Sequence, residues 1–141
     1  DFNHGFTYSG HPVAAAVALA NIDILRREKI VETVGSDTGP YFQKRLRELS
    51  DHPLVGEVRG VGLIAAIELV KNKETRELLD PIGDAGTICR DNCFENGLIM
   101  RATGDSMLLS PPLIISKTQI DELVEKAEKC LNMTAHDLGM S

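Results

Sequence analysis

His4-Gly5-Phe6-Thr7-Tyr8-Ser9-Gly10-His11-Pro12 runs straight into Val13-Ala14-Ala15-Ala16-Val17-Ala18-Leu19-Ala20, and this junction of polar loop and apolar helix sets the fold around it. Proline suits the first helical position, because its missing N–H has no partner there and its φ is already helical. Ser9 and His11 precede it where a capping group is wanted. The loop therefore ends at the positive end of a helix, a favourable place for an anion such as a phosphate. The first turns of that helix are apolar all round, which predicts burial on every side.

Working outward, the helix is expected from Pro12 to about Val34, amphipathic after Asn21 and broken by Gly35. A second helix follows from about Thr38, with Pro40 near its start, and Asp51-His52-Pro53 stops it. Val55-Gly56-Glu57-Val58-Arg59 alternates like a half-exposed strand, with Glu57 and Arg59 a surface pair, and Gly60-Val61-Gly62 makes a bend. Leu63–Val70 reads as a buried strand. A charged connection over 71–81 leads to a helix at about Asp84 to Glu95, ended by Gly97. Leu98–Arg101 and Met107–Ser110 are strand candidates around a Thr103-Gly104-Asp105 turn. Ser116-Lys117-Thr118-Gln119 has the form of a capping box, opening a last helix to about Met133 before a frayed tail. The sum is α+β, helices over a small antiparallel sheet.

The chain has 141 residues, enough for one cored domain, and 43% hydrophobic residues, as in an ordinary globular protein. Its net charge of −6 argues against nucleic acid as a partner. No apolar run approaches the length of a membrane span. The opening Asp1-Phe2-Asn3-His4 shows no signal-peptide pattern and suggests a piece of a longer protein. The three dispersed cysteines, Cys89, Cys93 and Cys130, suit a reducing cytoplasm and read as buried structural thiols rather than zinc ligands.

Two positions are candidates for binding. The Thr7 hydroxyl and its neighbouring backbone N–H suit a phosphate oxygen, and a structural turn capped by Ser9 and Thr7 uses the same chemistry. Arg101, beside Ala102, Thr103 and Gly104, could clamp a carboxylate bidentately, or lie along the surface as an ordinary exposed arginine. His4 and His11 lack a third ligand or a nucleophile elbow and read as packed histidines. His52 is expected to face solvent. Gly60-x-Gly62 is too short for a dinucleotide fingerprint.

Phe2-x-His4-Gly5-Phe6-Thr7-Tyr8-Ser9-Gly10-His11-Pro12 resembles the hallmark of class III pyridoxal-phosphate aminotransferases. The resemblance continues through Val55–Leu63, Gly97–Arg101 and Pro111-Pro112-Leu113. Within the class it is nearest to pyruvate ω-transaminases and putrescine/spermidine–pyruvate aminotransferases. It implies the C-terminal portion of a fold type I homodimer with active sites at the interface. Residues 1–35 would then end the large cofactor-binding domain and form the connecting helix, and 36–141 would be the small domain. The resemblance gives Thr7, helped by the Phe6 backbone, a role at the partner subunit's pyridoxal 5'-phosphate, and Arg101 the carboxylate of pyruvate. It implies transfer of an amino group from a primary amine, such as a polyamine, to pyruvate. It places the Schiff-base lysine upstream of Asp1, so no catalytic residue is expected here and the fragment alone should be inactive. β-Alanine, taurine or aromatic-amine transaminases, an aminomutase, and a non-catalytic ligand or interaction domain are the alternatives.

Overall fold

A computed structural model describes residues 4–140; Phe2 and the other residues outside that range carry no structural account. Helix α1 spans Pro12–Arg27 and a single helical turn, α2, spans Ile30–Thr33. The expected continuous helix to Val34 is broken between them. Lys29 adopts the left-handed conformation (φ 51°), which no glycine or asparagine announces. The bend re-aims the next turn, and Val34 packs against the core.

Gly35 does not end the helical path. Val34–Thr38 form a π-helical turn leading into α3, Gly39–Arg47. Pro40 cannot donate a backbone bond, so the ordinary i→i+4 ladder must open ahead of it. Gly39 also has to be small, since a Cβ there would strike the Val34 carbonyl and reach Gly62 Cα at 3.0 Å. A 3₁₀ turn, Glu48–Asp51, closes the segment.

Strands β1 (Val55–Val61) and β2 (Ile64–Leu69) form a hairpin turning at Gly62, whose φ is 57°. After the connection come α4 (Asp84–Glu95), β3 (Arg101–Thr103), β4 (Ser106–Leu109) and α5 (Lys117–Asp137). The strand after Gly97 starts at Arg101 rather than Leu98, because Leu98 first closes the end of α4 by donating to the Cys93 carbonyl (2.9 Å). The sheet is antiparallel throughout, in the order β1-β2-β4-β3.

Direct pairing places Val58, Ile67, Met107 and Ala102 in one row and Arg59, Ala66, Leu108 and Arg101 in the next. Paired residues share a sheet face and successive residues alternate. The first row lies on the core side, under α3, α4 and α5, with Phe42, Leu46, Ile120 and Leu131 buried among them. The second row lies on the opposite, outer face. The mixed α+β expectation is met.

Two further expectations are corrected. The early turns of α1 are exposed, Val13 by 65% and Leu19 by 66%, because no described element covers that apolar face. The C-terminal helix does not fray at Met133. Thr134 and Ala135 are buried, the Thr134 hydroxyl donates to the Cys130 carbonyl (2.7 Å), and Met140 N–H donates to the Ala135 carbonyl (2.8 Å).

The capping box is present: Gln119 N–H donates to Ser116 Oγ (3.2 Å) and Ser116 N–H donates to Gln119 Oε1 (2.9 Å). Ser116→Ala should destabilise the first turn of α5 by about 0.5–2 kcal/mol. Faster amide hydrogen exchange at Gln119, with the centre of α5 unchanged, is the expected result.

Candidate functional site: an open loop and an exposed arginine

The loop ahead of α1 is fixed by its own short bonds. Phe6 N–H donates to Ser9 Oγ (2.9 Å), Ser9 N–H donates to the Phe6 carbonyl (2.9 Å), and His11 N–H donates to the Tyr8 carbonyl (3.1 Å). His11 is the N-cap, its Nδ1 accepting from Ala14 N–H at 3.4 Å. Ser9 and His11 thus do the capping, and the Phe6 backbone is taken up by Ser9 at both N–H and carbonyl. The Thr7 hydroxyl is exposed and has no partner among the described residues. Its donor chemistry, one hydroxyl beside backbone N–H at a helix start, fits a phosphate oxygen. Phe6 itself is 73% exposed. His4 and His11 are exposed rather than packed; His4 meets the Phe6 ring edge-on at 5.3 Å.

Arg101 begins the edge strand β3 on the outer face. What surrounds it is informative. At the far end of the same row, Arg59 is neutralised, with Glu68 at 2.8 Å and Glu57 at 3.4 Å. Burial raises the Glu68 pKa, but the Ser106 hydroxyl (2.7 Å) and Arg59 outweigh it and hold the carboxyl below its ordinary range. No carboxylate among the described residues pairs with Arg101, which is exposed. The Arg59–Glu68–Ser106 cluster was not legible as a unit in the sequence, where only the Glu57–Arg59 spacing showed.

Thr7 and Arg101 are not joined by any hydrogen bond or ion pair among the described residues. One precedes α1, a helix about 24 Å long at 1.5 Å per residue; the other lies on the sheet edge.

His52 does not face solvent. It is half-buried, its Nδ1 accepting from Leu54 N–H (3.1 Å) and its Nε2 donating to Asn132 Oδ1 (3.3 Å). Burial pushes its pKa down, and its two bonds tie the end of the 3₁₀ turn to α5.

The comparisons with known proteins fit this geometry. The aminotransferase class-III family profile matches residues 1–131, and the chain belongs to that family, whose members use pyridoxal phosphate. It is 66% identical over 135 residues to a putrescine–pyruvate aminotransferase of Pseudomonas aeruginosa, covering 96% of this chain and 29% of that protein. It is 42% identical over 133 residues to gamma aminobutyrate transaminase 1 of Solanum lycopersicum, covering 94% and 26%. Among solved structures, a transaminase with L-alanine superposes with a TM-score of 0.89 at 51% identity, covering 96% of this chain and 32% of that one. An omega transaminase of Pseudomonas jessenii in complex with PMP gives a TM-score of 0.90 at 40% identity, covering 99% and 30%. The chain thus spans about three tenths of the length of these relatives.

The cysteines carry no site. Cys89, Cys93 and Cys130 are free and buried, and no cluster of metal-ligating side chains occurs among the described residues. A hydrogen bond from the Cys89 side and burial push the Cys93 thiol up, and burial does the same for Cys130. None of the described helices is long and apolar enough to cross a membrane. In the native state Cys89, Cys93 and Cys130 should resist an alkylating reagent, and all three should react once denaturant is added; mass spectrometry reads both states.

Proposed function

We propose that this chain is the C-terminal part of a homodimeric, cytoplasmic aminotransferase that moves an amino group from a primary amine, of the polyamine class, to pyruvate. Residues 1–35 end its large domain and form the connecting helix, and 36–141 make its small domain. One observation carries the reading: an exposed guanidinium, without a counter-ion among the described residues, stands on the sheet face where Arg59 is paired with two carboxylates. An unpaired charge beside the Gly104 turn can receive a small carboxylate and leave when an amine lacking one takes its place. The name of the Pseudomonas aeruginosa relative supports putrescine and pyruvate as the substrate pair. Free, buried thiols favour a reducing compartment.

Pyridoxal phosphate, when bound, supplies the electron sink for exchange of the amino group. This chain's part is to hold and orient. Thr7 offers its hydroxyl to the phosphate, and Arg101 fixes the carboxylate of the keto acid. The uncovered apolar face of α1 supports contact with the large domain and with a second subunit. The Thr7 loop would then serve the partner subunit's site, while Arg101 serves its own.

A donor that itself carries a carboxylate is the second reading, favoured by the similarity to the tomato gamma aminobutyrate transaminase. One measurement separates the two. In the full-length enzyme carrying this segment, Arg101→Ala should raise the KM for pyruvate by about tenfold or more and leave the KM for putrescine unchanged. A parallel rise for both substrates contradicts the polyamine reading. Thr7→Ala should weaken cofactor retention by about ten- to a hundredfold, the loss of one charge-assisted bond, measured by titrating the apoenzyme with pyridoxal phosphate.

A further inference from the structure

Helix α4 begins at a glycine. Gly83 occupies the N-cap with φ 96° and brings no side chain to satisfy the free N–H groups of the first turn. The missing cap arrives from elsewhere in the chain. Asp105, buried in the turn between β3 and β4, accepts from Gly83 N–H through Oδ2 (2.9 Å) and from Gly86 N–H through Oδ1 (2.9 Å). Gly86 is the third residue of the helix, the donor an ordinary N-cap side chain would take. A negative charge at this end is also favoured by the helix dipole.

The approach is close. A Cβ at Gly86 would collide with the Gly104 carbonyl oxygen and come within 3.2 Å of Asp105 Cα. The other end of α4 holds the same strand segment. Gly97 N–H donates to the Phe94 carbonyl (3.2 Å) and Leu98 N–H to the Cys93 carbonyl (2.9 Å). Residues 98–105 therefore form a strap stretched along α4 and tied to it at both ends. Arg101 sits in its middle. Leu98 and Met100 anchor the first half of the strap in the core, and the Asp105 carbonyl accepts from Leu69 N–H (2.9 Å). β3 itself pairs with β4 alone, over three residues, so the set of the strand that starts at Arg101 depends on how its two ends are tied.

We propose that Asp105 is a positioning residue for Arg101: by capping α4 it fixes the strap that carries the guanidinium, and it thereby sets the enzyme's affinity for the keto acid. This rests on the role given to Arg101 above. Asp105 is buried with both carboxylate oxygens engaged by α4 N–H groups, so it acts through the strap. Loosening its tie lets the edge strand shift, and a displacement of about 1 Å is enough to lower productive binding severalfold or more. Gly86 serves the same end by permitting the contact.

The test uses the full-length holoenzyme carrying this segment, with Asp105→Asn, Asp105→Ala and Arg101→Ala compared. Asn keeps the shape and one of the two acceptors, so it carries the test even where Ala lowers stability. The KM for pyruvate should rise by about threefold in Asp105→Asn and about tenfold in Asp105→Ala. The KM for the amine and kcat at saturating pyruvate should stay within about twofold. Calorimetric affinity for oxamate, an unreactive isostere of pyruvate, should fall by the same factors. If Arg101→Ala weakens pyruvate and oxamate while Asp105→Asn leaves both unchanged, the positioning role is overturned and the Arg101 reading stands. Equal losses for both substrates mark Asp105 as merely structural and also overturn it. No effect of Arg101→Ala overturns both.

Discussion

The backbone of the central strands has to be paired on both edges, and that requirement arranges everything else. β2 and β4 are buried, where an unpaired N–H or carbonyl is costly. β2 lies between β1 and β4, and β4 between β2 and β3, so each central strand meets it on both edges. That order leaves β3, three residues long, on an edge with one partner. Its first residue is Arg101. An edge strand is the part of a sheet most easily moved, and the proposed carboxylate-binding charge is on it.

Period-two alternation then divides the sheet into two chemistries. The row Val58, Ile67, Met107 and Ala102 is packed under helices and makes the core. The outer rows carry Arg59, Glu57, Glu68, Ser106 and Arg101. On that face Arg59 is engaged by two carboxylates, one also held by a hydroxyl, and so contributes a settled surface. Arg101 shares the face without sharing the acids. The same strand register that builds the core thus separates a structural arginine from an available one.

Much of this was legible in the sequence because the signals were local. Pro12, the Ser116/Gln119 box, the limits of α4 and the Thr103-Gly104-Asp105 turn each depend on a few neighbouring residues. The Thr7 and Arg101 candidates came from chain pattern and family resemblance, and the structure places both in the open. What was not legible depends on distant partners. Lys29 is left-handed with no sequence marker, and the π-helical turn reflects Pro40 acting backwards on its predecessors. His52 looked solvent-bound until Asn132, eighty residues on, supplied its second bond. Gly83 and Asp105 are separated by a helix and a strand, so a cap made between them leaves no trace in spacing.

The apolar start of α1 shows the same limit from the opposite side. The apolar pattern predicts burial of Val13, Val17 and Leu19, yet the described residues leave them exposed. An exposed apolar face on a helix that follows the Thr7 loop is what the proposed contact with a large domain and a second subunit would cover. Thr7 precedes α1 and Arg101 starts the edge strand β3, and no hydrogen bond or ion pair joins them among the described residues. In the proposed dimer such an arrangement has a use: each subunit would keep its own carboxylate-binding arginine and lend its loop to the neighbour.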